Sequence, residues 1–284
     1  MTLQACIFVL LLGGALEYAS AQGNAMHGHY LVKAGGCLSC HTEDKKNAVA
    51  FAGGRALKTP FGTFFAPNIT PHLQRGIGNW TEADFIRALR HGLRPDGSNY
   101  FPAFPYPSFT KIVDNDLHDL WLYLRTLPPS NRVNQEHNLR FPFGWRFLVT
   151  TWKLLFFTPE PNIMVRGLSQ ITNRGAYLVQ ALGHCGECHT PRNFLGGPKQ
   201  DRFLAGGKGP DGKDIPNLTP ARLLKWSDQE LRGFLSTGVM PDGDVPSEIM
   251  GEVIRNTTSQ LTSEDLVALI AYLRTLPSLP DEPR

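Results

Sequence analysis

The chain has 284 residues, 19% of them charged, and a formal net charge of +3. That near balance gives no electrostatic footprint for nucleic acid, and the basic stripe with interleaved aromatics that marks single-strand binders is absent. Of its five cysteines, four fall into two copies of one short motif and the fifth, Cys6, sits in an apolar leader. No disulfide framework is left to build a fold around.

Residues 5–16 are almost wholly apolar, and Ala19-Ser20-Ala21 ahead of Gln22 fits the small-x-small cleavage pattern of a secretory signal. The apolar run is shorter than the ~20 residues that span a bilayer, so a cleaved signal peptide over 1–21 is expected rather than an anchor. No Lys or Arg precedes Lys33, a departure from the usual positive start of such signals. Loss of the leader removes Cys6 and Glu17 and raises the net charge by one.

Next comes Cys37-Leu38-Ser39-Cys40-His41, and Cys185-Gly186-Glu187-Cys188-His189 repeats it. Cys-x-x-Cys-His is the spacing of c-type haem attachment. Two thiols can add across the two vinyl groups of one haem, and the adjacent imidazole is held where it can bind iron. A thioredoxin-like pair needs no following His and expects a βαβ context. A zinc site made from both pairs would leave the repeated His without a role. The pattern therefore predicts two covalently attached haem c groups, on Cys37 and Cys40 and on Cys185 and Cys188, with His41 and His189 as iron ligands.

The motifs sit at matching places in an internal repeat. Tyr30-Leu31-Val32 and Tyr177-Leu178-Val179 precede them; Ala52-Gly53-Gly54 and Ala205-Gly206-Gly207 follow. Pro67-Asn68-Ile69-Thr70-Pro71 answers Pro216-Asn217-Leu218-Thr219-Pro220, and Pro95-Asp96-Gly97 answers Pro241-Asp242-Gly243. Both copies close on Leu-Arg-Thr-Leu-Pro, at 124–128 and 273–277. Two units are expected, over 22–127 and 168–284, each of ordinary domain size.

Within a unit the pattern is helical. Thr81 stands three residues before Asp84, and Ser227 three before Glu230, the spacing of a capping box. Phe85 and Leu89, then Leu231, Phe234 and Leu235, mark the buried faces that follow. Leu117, Leu120, Trp121 and Leu124, like Leu266, Leu269, Ile270 and Leu273, keep helical spacing until Pro128 and Pro277 stop them. No alternating run is long enough to argue for a sheet, so the expected class is all-α. Each unit is short for a self-sufficient core, which leaves a buried porphyrin face to supply much of the apolar contact.

The connecting stretch, 128–167, begins polar and turns strongly aromatic, with Phe141, Phe143, Trp145, Phe147, Trp152, Phe156 and Phe157. Trp145, Leu148, Trp152 and Leu155 suggest a short amphipathic helix between Gly144 and Pro159. It is too short, and with Arg146 and Lys153 too charged, to cross a bilayer. It reads as packing between the two units, with a membrane-surface or partner-docking patch as the alternative.

Over nearly its whole mature length the chain resembles the cytochrome c subunits of bacterial periplasmic and membrane-bound dehydrogenases of the alcohol, gluconate and nicotinate type. The likeness rests on Phe61-Gly62-Thr63, Pro67-Asn68-Ile69-Thr70-Pro71, Tyr106-Pro107-Ser108, Trp152-Lys153-Leu154-Leu155-Phe156-Phe157 and Cys185 to Asn193. It implies tandem class I cytochrome c-like domains, haem attachment outside the cytoplasm, and so a periplasmic address, with association to the inner membrane as an option. It also implies an axial Met shortly after Pro-Asp-Gly-Asp and before Val-x-x-Asn-Thr, which here is Met250; Met240, ahead of the turn, reads as packing. The first unit breaks the symmetry. Its matching segment, Pro102-Ala103-Phe104-Pro105, carries Phe where the family carries Met, and Phe has no lone pair for iron. Either that haem is five-coordinate, or His72, His91, His118 or Met164 reaches it. Electron relay from a dehydrogenase to a respiratory acceptor is the expected role, without bond-making by the protein itself; Arg192 is expected near haem propionates. A haem enzyme or gas- and peroxide-binding protein using an open first haem is the competing one.

Overall fold

The computed structural model describes residues 23–161, 164–209 and 212–281; the expected signal peptide lies outside them. Helices α1 (Ala25–Ala34) and α2 (Cys37–His41) lead into a hairpin of β1 (Ala56–Thr59) and β2 (Gly62–Phe65), followed by α3 (Glu82–His91), α4 (Tyr106–Phe109) and α5 (Asp114–Thr126). A short β3 (Asn138–Leu139) and α6 (Phe147–Phe156) occupy the connecting stretch. The second half repeats the plan with α7 (Gln170–Tyr177), α8 (Gly186–His189), β4 (Gly207–Lys208), β5 (Asp214–Ile215), α9 (Pro220–Leu223), α10 (Asp228–Thr237), α11 (Glu248–Asn256) and α12 (Ser263–Thr275).

The helix starts follow the expected chemistry. Thr81 and Asp84 form a reciprocal capping box on α3, and Ser227 and Glu230 form one on α10. Both helices end on a glycine in the left-handed region, Gly92 and Gly238. The apolar stripes of α5 and α12 are buried as their spacing demands: Leu117, Leu120, Trp121 and Leu124 on one, Leu266, Leu269, Ile270 and Leu273 on the other.

The strands were not legible as strands. β1 and β2 pair antiparallel with Ala56 opposite Phe65 and Thr59 opposite Gly62, and β3 adds to β2 with Gly62 opposite Leu139. β4 and β5 pair Gly207 with Ile215. All are two to four residues long, too short for alternation to show. Among the described residues the chain is mainly helical with two small sheets, rather than purely α.

In each half the first helix crosses the closing helix at backbone contact. A Cβ on Gly28 would lie 2.0 Å from the Asp119 carbonyl oxygen, and one on Gly175 would lie 1.9 Å from that of Ala268. Only glycine lets these pairs, α1 with α5 and α7 with α12, come so close. The two crossings then interlock. Tyr30 of α1 donates to Asp265 of α12 at 2.5 Å, and Tyr177 of α7 donates to Asp116 of α5 at 2.6 Å. These tyrosines occupy equivalent places in the repeat, so each half reaches into the closing helix of the other by the same bond. One continuous apolar core runs through both halves as a result.

Asp265 also receives Nε and Nη2 of Arg174, at 2.8 and 2.7 Å. Burial pushes its carboxyl up, but the Arg174 and Tyr30 contacts outweigh that and hold it below the usual carboxylate value. A depressed folded pKa contributes stability that is present above the unfolded pKa and is lost as pH falls through the folded one. Asp265→Asn is therefore expected to flatten the acid limb of the unfolding curve, below pH ~4. Circular dichroism through an acid titration checks this; an acid limb identical to wild type would remove Asp265 from the account.

Candidate haem sites

The first motif is a single helical turn entered through Gly36, at φ 62°. Helical spacing puts Cys37 and Cys40 on one side, with His41 one residue on. The His41 ring is then fixed from behind: its Nδ1 lies 2.7 Å from the carbonyl oxygen of Pro67. With Nδ1–H donating to that oxygen, the Nε2 lone pair is the one left for iron. Burial lowers the His41 pKa, with the Pro67 bond opposing, so the ring is held in its neutral, ligating form.

Pro67 is itself held by its neighbour. Asn68 is buried; its Oδ1 accepts from the Thr70 N–H at 2.9 Å and from the Thr70 hydroxyl at 2.7 Å. Its Nδ2 donates to the Ser130 carbonyl at 2.8 Å, and its own N–H donates to Asn134 Oδ1 at 2.7 Å. The Gly53 N–H donates to the His41 carbonyl at 2.7 Å. Gly53 has φ 76°, and a Cβ there would meet the Asn68 nitrogen at 2.5 Å, so the repeated Gly is a close-approach position.

The second site copies the first. Its lead-in differs by a π-helical turn, Leu178–Leu182. His189 Nδ1 lies 2.7 Å from the Pro216 carbonyl, and burial lowers its pKa as well. Asn217 is buried, accepts from the Thr219 N–H at 2.7 Å and donates to the Leu279 carbonyl at 2.8 Å. The Gly206 N–H reaches the His189 carbonyl at 2.9 Å. The Pro-Asn-x-Thr-Pro words were visible as repeat markers; that they orient the histidines was not, because the bond is to a main-chain carbonyl 26 or 27 residues away.

The thiols are in a setting unlike that of a redox pair. Burial pushes Cys37 up to about 12 and Cys185 up to about 12, whereas thiol–disulfide catalysts hold a cysteine below its ordinary pKa. Cys40 is raised to about 11, by burial first and then by the Glu252 carboxylate, with Arg55 opposing and Cys188 adding a smaller push; burial raises Cys188 too. Among the described residues, no cysteine joins a group of three donors close enough to share one metal ion. Paired thiols beside a neutral, oriented imidazole fit covalent haem c, and they fit neither alternative.

Each motif also touches a helix of the opposite half. Ser108 of α4 donates to Glu187 of the second motif at 2.9 Å, and the Phe109 ring lies 5.4 Å from that of His184. Conversely, Asn256 of α11 donates to Ser39 of the first motif at 2.9 Å, while Arg55 pairs with Glu252 at 2.7 Å. Arg192, expected as a haem-packing or propionate neighbour, pairs with Glu187 of the second motif at 2.5 Å.

Met250 lies in the first turn of α11, half-buried, behind the Ser247 cap. Met240 sits in a turn closed by its own N–H to the Asp244 carbonyl. Phe104 packs among Tyr100, Tyr106 and Phe109, with ring centroids at 5.3, 6.3 and 5.7 Å. Of the alternatives for the first iron, His72 Nδ1 caps a turn by accepting from the Gln74 and Arg75 N–H groups, His118 is bound to Glu82 at 2.7 Å, and Met164 and His91 are exposed. None of the four packs against Phe104 in an aromatic pair.

Comparison with known proteins agrees with this chemistry. The cytochrome c family model matches residues 25–128. A "Diheme cytochrome c-type" protein of Cereibacter sphaeroides is 46% identical over 92% of this chain and 89% of its own length. The fructose dehydrogenase cytochrome subunit of Gluconobacter japonicus is 38% identical over 88% of this chain but 52% of its own length. The cytochrome c subunit of the quinone alcohol dehydrogenase of Gluconacetobacter polyoxogenes is 35% identical over 99% of this chain and 62% of its own. This chain therefore spans only about half to two thirds of those two dehydrogenase subunits. With a covalent haem c site built from Cys-x-x-Cys-His and a carbonyl-oriented histidine, the chain belongs to the c-type cytochromes, in the group of di-haem cytochromes c and the cytochrome c subunits of bacterial dehydrogenases.

Proposed function

We infer that the protein is a periplasmic two-haem electron carrier, taking electrons from a dehydrogenase and delivering them to a respiratory acceptor. The observation that carries this is the duplication of the whole site: motif, histidine, orienting proline carbonyl and asparagine clamp all occur twice, on two interlocked halves. In this reading 22–127 and 168–284 are tandem haem domains and 128–167 joins them. Bound haem supplies one-electron chemistry at its iron. The residues of this chain hold and tune it. Cys37 with Cys40, and Cys185 with Cys188, would make the covalent attachments; His41 and His189 would ligate iron, each in the tautomer set by the Pro67 or Pro216 carbonyl. Met250 would supply a thioether, which favours the reduced metal and a higher potential. The reciprocal Tyr–Asp bonds and the shared core keep the two sites at fixed separation, so no domain movement is needed between them.

The test is purification from the native cell without overexpression. A dehydrogenase should copurify, and its substrate should reduce the visible absorption of the cytochrome. A second reading is favoured by Phe104 alone: an open first iron could bind gas or peroxide. Protein that no copurified enzyme reduces, but whose spectrum shifts with carbon monoxide or peroxide, would support that reading instead.

A further inference from the structure

Helix α6 carries its charges inward and its apolar residues outward. Arg146, at its N-terminus, donates to the Asn99 carbonyl at 2.8 Å and lies 4.6 Å over the Phe101 ring. Lys153 donates to the carbonyls of His91 and Gly92, at 2.6 and 3.0 Å, above the Tyr106 ring. The opposite face holds Phe147, Thr151, Leu154 and Leu155 without a single charge; Phe147, Leu154 and Leu155 are 65%, 82% and 61% exposed. A soluble surface helix has the reverse arrangement.

The apolar surface extends beyond the helix at both ends. Phe141 is 80% exposed and meets Trp145 edge to face at 5.0 Å, and Trp145 stacks on Phe147 at 5.6 Å. A loop of the second half joins it: Trp152 donates to the Leu195 carbonyl at 3.2 Å, beside Phe194, which is 90% exposed. No acidic residue occurs between Glu136 and Glu160, or between Glu187 and Asp201; the nearby hairpin adds Lys58, and Arg140 donates to the Pro60 carbonyl of its turn. Among the described residues no helix is long and apolar enough to cross a membrane.

We propose that this face, comprising the 141–147 loop, the outer side of α6 and the Phe194-Leu195 loop, rests on an anionic phospholipid bilayer. Aromatic rings suit the headgroup boundary, aliphatic side chains insert just below it, and the exposed cations Lys58 and Arg140 meet a negative surface. Both halves contribute, so the molecule is oriented on the membrane as a rigid body. The inference is independent of which enzyme supplies electrons.

The experiment is cosedimentation of the full holoprotein with vesicles of phosphatidylcholine and phosphatidylglycerol, or of phosphatidylcholine alone. The anionic vesicles should carry the protein down, the neutral ones much less. Leu154→Ser combined with Phe194→Ser should weaken partitioning by about tenfold or more and leave the visible spectrum unchanged. Protein that stays in the supernatant with both vesicles would overturn the proposal. So would binding that ignores the double substitution, or a dimer in size exclusion that the same substitution dissociates, since the face would then be covered by a second copy.

Discussion

Replacing Met250 with alanine is expected to lower the potential of one of the two haems by on the order of 0.1 V or more, a fraction of the roughly 0.8 V that axial ligation can span. The thioether stabilises the reduced metal, and alanine leaves the histidine as the only protein ligand. Helix α11 should survive the change: the Ser247 cap accepts from the Met250 main-chain N–H, which alanine keeps, and the Arg55–Glu252 pair and the Asn256–Ser39 bond do not involve Met250. The altered haem should lose its Met–iron charge-transfer band and bind added imidazole or carbon monoxide, while the other keeps its potential. Redox titration with spectra at each step reads both. If Met250→Ala changes nothing and Met240→Ala does, the ligand has been assigned to the wrong side of the turn.

Phe104→Met is the second large effect, in the opposite direction. The wild-type haems should titrate in separate steps, because a first iron without sulfur, whether five-coordinate or bound by a second nitrogen, is poorer at holding an electron. Electrons would then enter at the first site and leave through the second. Methionine is flexible enough to occupy the space of the Phe104 ring among Tyr100, Tyr106 and Phe109. Its sulfur should raise the lower potential, again by on the order of 0.1 V, so that the two steps converge, and should suppress carbon monoxide binding. Wild-type haems that titrate together, each with a Met–iron band, would point to another methionine, Met164 first.

What could be read from the sequence followed from local rules. The haem motifs are contiguous, the capping boxes span four residues, and the stripes of α5 and α12 repeat within single helices, so each signal is complete in a short window. The short strands gave no such window: β2 begins at Gly62 and β3 has two residues. The histidine-orienting carbonyls were hidden for another reason, since any residue has a carbonyl and only the fold brings that of Pro67 or Pro216 to the ring. The reciprocal Tyr30–Asp265 and Tyr177–Asp116 bonds join residues 235 and 61 positions apart. Helix α6 was legible by its aromatic content, but which of its faces is buried was not. Trp145 and Leu155 are exposed while Val149 is buried against Phe64 and Phe101, because Arg146 and Lys153 find carbonyls and ring faces inside.

The most direct measurement is the mass of the mature holoprotein after acid–acetone extraction, which strips haem that is not covalently held. Two thioether-forming pairs, Cys37 with Cys40 and Cys185 with Cys188, predict a gain of two haem masses over the polypeptide. A gain of one haem mass, or of none, would contradict the account.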